Sequence, residues 1–357
     1  MVREIARSGK SRALVTAGML ITTMLAAAAP DARAQSVGGP LPPNVGSGDC
    51  DRACLNGIAD SFVKALLAHD PSMVPLARNA RYSENGVLLP MPDGFWKNAT
   101  AARPYRLYVD DPDWGTVGFF SRMYENGAPV VVTTRLKIYN RQITEIETIV
   151  GQENFGRGPL DPDLLGDAPR PQFLQLVPPA ARRSRDDLMK IVNTYFTGLE
   201  NNVGDKPPLF AKDCDRLENG WHTTNVPAKA GEKPGSLNLS CIEDFAQGYH
   251  HNDTRLRNRR IMAIDLERQL VFAAVYFDHD NRAEVRTYKA KNGQTVTVKD
   301  TAASTLGMHE IFQIDRDGRI SQVEAVMTTV PYGMRPYFST GFHMDSPQAV
   351  KDGFQEY

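Results

Sequence analysis

The side chains best suited to acid–base chemistry gather in the C-terminal half of the chain. Glu218 follows Arg216 by two positions, so in an extended segment both leave the same face and can pair. His222 stands one alternation beyond Gly220, His309 opens an alternating segment, and His250-His251 precede Asn258-Arg259-Arg260. Imidazole titrates near neutral pH, and guanidinium grips carboxylates or steadies a developing anion. A His or Glu base beside an Arg anchor is what a lyase, decarboxylase, dehydratase or isomerase needs. His309, Glu218 and His222 are therefore the candidate catalytic residues, and Arg216, Arg259, Arg260, Tyr249 and Tyr276 the candidate substrate contacts. His250 and His251 are adjacent, so an extended backbone aims at most one of them at any site.

In the N-terminal half the candidates are Glu84, Tyr82, Trp96 and Arg135, set among Tyr105, Tyr108, Trp114, Phe119 and Phe120. Such an aromatic set either stacks a flat ligand or fills a core. Plainer readings stand beside the chemical ones. Arg216 with Glu218, and Arg259 or Arg260 with nearby acids, also read as structural ion pairs. Glu-Asn-Gly at 84–86 and again at 218–220 reads as a turn, because Gly supplies a positive φ and Asn tolerates it. No metal is expected, since His222, His250 or His251, and His309 with Glu218 lack the close pairing of a metal motif. No cofactor is expected either. Gly115-Thr116-Val117-Gly118 lacks the strand, helix and Lys of a phosphate loop, and there is no G-x-S-x-G elbow.

The elements that must position these residues repeat. Apolar residues at Leu55, Ile58, Phe62, Ala65 and Leu66, and again at Leu188, Ile191, Val192, Tyr195, Phe196 and Leu199, predict two helices with one buried face each. Leu76-Ala77 and Glu84-Asn85-Gly86 in one half correspond to Phe210-Ala211 and Glu218-Asn219-Gly220 in the other. Strand-like alternation from Val130 to Ile138, a turn, then Ile143 to Glu147 has its counterpart in His309 to Ile314, a turn, then Ile320 to Glu324. Each half thus reads as a helix followed by long antiparallel strands, an α+β layer arrangement.

A basic start, an apolar run from Ala13 to Ala29 and Ala32-Arg33-Ala34 predict a signal peptide over 1–34, cleaved after Ala34 for periplasmic or secreted export. Residues 35–49 read as a flexible leader, 50–155 as the first domain, 156–183 as a Pro- and Gly-rich linker, 184–332 as the second domain and 333–357 as an extension that either wraps the interface or caps a pocket. Export permits disulfides. The four cysteines allow three pairings, of which the nearest-neighbour choice is Cys50 with Cys54 and Cys214 with Cys241. A net charge of -1 with interspersed signs argues against nucleic acid, and against membrane partners after cleavage.

The motifs Tyr82-Ser83-Glu84-Asn85, Asp93-Gly94-Phe95-Trp96, Cys214-x-Arg216-Leu217-Glu218-Asn219-Gly220 and Asn258-Arg259-Arg260, with the paired hairpins, resemble the nuclear transport factor 2-like (SnoaL-like) superfamily, in a tandem exported group. The resemblance covers nearly all of residues 50–335. It implies two cone-shaped domains, each a curved antiparallel sheet covered by N-terminal helices, packed as a pseudo-dimer within the chain. It further implies a pocket for a small, often aromatic molecule. On that basis the expected function is a cofactor-independent lyase, decarboxylase being one form, acting on a small carboxylated or phenolic aromatic compound. Arg259 or Arg260 would hold an anionic group, His309 would move a proton and Glu218 would assist. The rival expectations are a non-catalytic binding or interaction module and an isomerase or dehydratase.

Overall fold

A computed structural model describes residues 46–151, 162–201, 209–228, 230, 236–248, 253–280, 286–289, 293, 295–298 and 302–352. The expected signal peptide, most of the leader, part of the linker, and Tyr249, His250 and His251 lie outside them. The first half begins with helix α1 (Arg52–Ala68), whose N-terminus is capped by Asp51 accepting from the Cys54 N–H. Its stripe Leu55, Ile58, Ala59, Phe62, Val63 and Leu66 is buried against a six-stranded sheet. The strands are β1 (Leu76–Glu84), β2 (Val87–Leu89), β3 (Ala99–Asp111), β4 (Thr116–Glu125), β5 (Ala128–Tyr139) and β6 (Gln142–Gly151), in the order β2-β1-β6-β5-β4-β3. A short helix, α2 (Phe95–Asn98), sits between β2 and β3.

The second half repeats this plan. Helix α3 (Arg185–Asn201) buries Leu188, Val192, Tyr195, Phe196 and Leu199. Strands β7 (Phe210–Glu218), β8 (Trp221–His222), β9 (Arg255–Asp265), β10 (Leu270–His279), β13 (Ser304–Ile314) and β14 (Ile320–Pro331) take the order β9-β10-β13-β14-β7-β8. Helix α4 (Cys241–Phe245) falls between β8 and β9, and a separate hairpin of β11 (Arg286–Lys289) and β12 (Thr295–Val298) interrupts the β10 to β13 connection. Two features depart from a purely antiparallel plan. β1 runs parallel to β6 and β7 parallel to β14, so both sheets are mixed. Those pairs join strands far apart in sequence, and the hairpin rule that makes neighbours antiparallel does not govern them.

Each sheet is buried on both faces. One face meets its own helix; the other meets the opposite half through Tyr105, Leu107, Val109, Phe120, Val131 and Ile149 from the first sheet and Leu217, Met262, Phe272, Ile311 and Val326 from the second. This is why the strands read as near-continuous apolar runs. The described linker is packed: Leu165 and Phe173 join that interfacial core, and Arg170 bonds Glu324 and Asp215. The described part of the C-terminal extension packs against both halves. It adds β15 (Phe342–Met344) beside β9, ends in α5 (Pro347–Lys351), and sends Thr340 across to Glu145 of the first half.

Both disulfides pair nearest neighbours, Cys50 with Cys54 and Cys214 with Cys241, as an oxidising compartment outside the cytoplasm permits. Among the described residues no helix is long and apolar enough to cross a membrane.

Candidate functional site

The corresponding registers of the two sheets show where chemistry is concentrated. Across the helix-covered face of the first sheet one cross-strand row reads Glu84, Thr148, Thr134, Phe119, Tyr108. The equivalent row of the second reads Glu218, Ala325, Glu310, Ala273, Ile261. Where the first half places Thr134 beside the large Phe119 ring, the second places a carboxylate between two alanines. On the covering helices Phe62 corresponds to Tyr195, and two positions before each Glu-Asn-Gly turn Tyr82 corresponds to Arg216. At three corresponding positions the second half thus carries the more polar side chain.

Glu310 is completely buried, and neither carboxylate oxygen has a hydrogen-bond partner among the described residues. Burial pushes its carboxyl up to about 8, with the Arg216 charge only partly opposing. It therefore carries a proton at neutral pH. Tyr195 stands in the same enclosure, ringed by Phe196, Phe210, Phe245 and Phe312, with its buried hydroxyl also lacking a partner. Arg216 pairs with Glu218 at 2.6 Å and with Asp244 at 3.5 Å, so one cation serves two carboxylates. Asp244 is held there because the Cys214–Cys241 bridge ties α4 to β7. At the end of β10, His279 bonds Asp253 at 2.6 Å through Nε2.

The first half holds no such set. Glu84 accepts from the Tyr82 hydroxyl at 2.5 Å and from the Phe95 N–H at 2.6 Å, which satisfies it locally. Trp96 lies edge-on to Phe62 within the apolar core. The Glu-Asn-Gly segments are turns, as their residue types suggest. Asn85 and Gly86 have φ of 50° and 81°, Asn219 and Gly220 of 47° and 83°, and each Asn side chain accepts a backbone N–H from the neighbouring strand.

The structure separates the residues expected to act together. Met308, Glu310, Phe312 and Ile314 share one register of β13 and face the helix, whereas His309 and Ile311 face the other sheet. His309 thus does not line the helix-covered enclosure; its Nδ1 is 2.9 Å from the Thr133 hydroxyl and its Nε2 3.7 Å from Glu147, both in the first half. Burial lowers its proton affinity, with Glu147 only partly opposing. Arg259 and Arg260, being consecutive on a strand, point to opposite faces. Arg259 bonds Glu200 of α3 at 3.0 Å, and Arg260 bonds Glu147 at 2.5 Å. Arg135 completes the interfacial cluster, 2.8 Å from both Glu145 and Glu147, instead of lining a first-half pocket. Burial works against the Glu147 charge, but Arg260 and Arg135 prevail and hold that carboxyl well below the usual range.

Tyr276 also faces this interface, under the Arg257 guanidinium, beside a cavity of about 10 Å³ that is large enough for one water. His222 lies outside the enclosure, 3.3 Å from Asp215 on an open groove of about 600 Å³ with Trp221. Tyr249 is outside the described residues. Sequence reasoning missed Glu310, Asp244, Asp253 and His279. The available signal was a carboxylate in the apolar register Leu306, Met308, Phe312, Ile314. Among the described residues no group of three His, Cys, Asp or Glu could hold a metal ion.

A family model for a domain of unknown function, DUF8021, matches residues 49–150 and 181–327 in tandem. The chain belongs to this family. No curated protein matches its sequence. Among solved structures, AusH from Aspergillus nidulans is 14% identical with a TM-score of 0.26, over 45% of this chain and 93% of that one. AclR from Streptomyces galilaeus is 11% identical with a TM-score of 0.24, over 48% and 88% respectively. Likenesses that weak carry no argument about activity.

Proposed function

We propose that the second half is a nuclear transport factor 2-like cone housing a lyase, in which Glu310 donates a proton to a small phenolic or carbonyl-bearing aromatic molecule. One observation carries the reading: a fully buried carboxyl, protonated at neutral pH, with both oxygens unpartnered among the described residues and alanines on either side. An unsatisfied buried acid of this kind is costly to a fold and suited to catalysis. A neutral carboxyl can donate a hydrogen bond to an oxygen that gains charge in the transition state, and a low-dielectric wall makes that bond count for more.

The electrostatics also refine the substrate. Arg216 is already shared by Glu218 and Asp244, and Arg259 and Arg260 are engaged elsewhere. A further carboxylate would enter an acidic surrounding, so an uncharged substrate is favoured over the carboxylated one. Decarboxylation recedes accordingly; elimination and isomerisation share the same acid and differ in what leaves. The chain is taken to be exported with cleavage after Ala34, in keeping with its two disulfides.

The test is a thermal-shift comparison of simple phenols and aryl ketones with benzoate and cinnamate, on the parent and on Glu310→Gln. Neutral ligands should raise the melting temperature of the parent, and much less that of the variant. Equal shifts in both proteins, or stabilisation by carboxylates alone, would replace the lyase with a binding module.

A further inference from the structure

We infer that the open groove beside β8 is a binding site for an uncharged aromatic molecule carrying a hydroxyl, its ring against Trp221 and its hydroxyl on His222. The site goes beyond the acid–base reading and is separate from the enclosure beneath α3. Asp215 lines the groove, whereas the next residue of β7, Arg216, bears on Glu310.

The groove holds about 600 Å³, the size of a small-molecule site. Leu164 of the linker, Trp221, Val226 and Pro227 give it apolar walls. Trp221 is half-buried and its Nε1 is out of contact with solvent, so the surface it offers is ring carbon. Such a surface receives another flat ring by stacking or edge contact. The wall formed by residues 224–227 is held in place before any ligand arrives. The Asn225 side chain donates to the Cys214 carbonyl at 2.7 Å and its N–H to the Leu239 carbonyl at 2.8 Å. Asn238 donates to the Val226 carbonyl at 2.6 Å, and the Cys214–Cys241 bridge joins the two sides. A wall fixed in this way loses little freedom on binding.

The charges of the groove balance, which favours a ligand without net charge. Lys212 is offset by its neighbour Asp213, and Asp215 accepts from Arg170 at 3.0 Å. Asp215 also accepts from Thr224 at 3.4 Å and faces Nδ1 of His222 at 3.3 Å. A carboxylate accepts and does not donate, so Nδ1 carries the hydrogen and Nε2 keeps a lone pair. Nε2 has no hydrogen-bond partner among the described residues, and a ligand hydroxyl can donate to it.

The first half shows what the corresponding surface takes. There Val87 and Leu88 stand where the second half has Trp221 and His222, and Arg81 stands at the place of Asp215. The Arg81 guanidinium lies 5.8 Å from the ring centre of Tyr337 and 5.3 Å from that of Phe338, both of the C-terminal extension. The chain thus lays its own aromatic rings over that position in the first half. In the second, Trp221 has no ring contact among the described residues and its groove stays open.

The test follows the indole N–H signals of the three tryptophans by ¹⁵N NMR at pH 7, each assigned by replacing one tryptophan with Phe, and uses phenol, anisole and benzoate as probes. Phenol should shift the Trp221 signal saturably and bind at least threefold more tightly than anisole or benzoate. His222→Ala, at a part-exposed position, should bring phenol down to the level of anisole and leave anisole unchanged. A Trp221 signal that stays still, or moves without saturating, overturns the inference. Equal affinity of the parent for phenol and anisole overturns it, as does a preference for phenol that survives His222→Ala. An equal shift of the Trp96 signal would mark indiscriminate uptake into apolar core and overturn it too.

Discussion

At the scale of single residues, one step along a strand separates the chemistry proposed here from structural work. His309 and Glu310 are neighbours, yet one joins a charged cluster between the sheets and the other stands unpartnered beneath α3. Histidine is the residue type a sequence reader turns to for proton transfer, but alternation decides which face it reaches. The linkage sign follows from the raised Glu310 carboxyl. The unfolded chain releases this proton near pH 4.5, whereas the folded protein holds it until about 8. Stability from this group is complete below 4.5, declines between 4.5 and 8, and stays low above. Glu310→Gln should therefore stabilise the protein at pH 8 by on the order of a few kcal/mol and make little difference at pH 4.5. Melting curves of both proteins across that range measure it; a variant less stable than the parent at pH 8 contradicts the unsatisfied acid. Glu147 should behave in the opposite way. Its removal leaves Arg135 and Arg260 buried without their shared carboxylate, so Glu147→Ala should cost about 3–5 kcal/mol by chemical denaturation.

At the scale of elements, the parts legible in the sequence were those set by local rules. Helical spacing gave α1 and α3, Asn-Gly marked the β1–β2 and β7–β8 turns, and alternation about a polar turn marked β5–β6 and β13–β14. What escaped depends on pairing across the chain. Parallel contact of β1 with β6, Arg260 reaching Glu147, and Phe173 of the linker entering the interfacial core have no short-range signature. Nor does the close approach at Gly86, where a Cβ would fall 2.3 Å from the Tyr276 hydroxyl oxygen of the other half. Gly86 also has a φ of 81°, so Gly86→Ala meets both backbone strain and a clash. A loss of about 1–3 kcal/mol is expected, and an unchanged denaturation midpoint contradicts the close packing. The Cys214–Cys241 bridge offers a second test at this scale. Replacing both with Ala should cost about 3 kcal/mol. It also frees α4 and with it Asp244, so ligand-induced stabilisation should weaken beyond what the lost stability explains.

At the scale of the whole molecule, the two halves clasp each other as the subunits of a twofold dimer would. Arg52 and Arg185 occupy corresponding sites at the starts of α1 and α3, each three residues before the first buried leucine. Arg52 reaches across to Asp265 at the end of β9, and Arg185 reaches back to Asp111 at the end of β3. Such reciprocal contacts are the mark of an isologous interface, here within one chain. Asp111 is fully buried and also accepts the Ile264 and Trp114 N–H groups, so it joins backbone of both halves. Removing it leaves Arg185 and two buried donors without an acceptor, a loss of about 3 kcal/mol or more. Because the sheets share one apolar core, neither half can lose its partner and keep that face covered. Asp111→Ala should therefore lower a single cooperative transition by several degrees, with the calorimetric and van't Hoff enthalpies still agreeing. The three tryptophans are Trp96 and Trp114 of the first half and Trp221 of the second, so with Trp114 replaced by Phe, replacing Trp96 or Trp221 as well leaves a single reporter in the other half. Coincident melting of the two reporters, in the parent and in Asp111→Ala alike, is the expected outcome. Two separated transitions would mean that each half folds on its own core and that the clasp merely holds finished domains together.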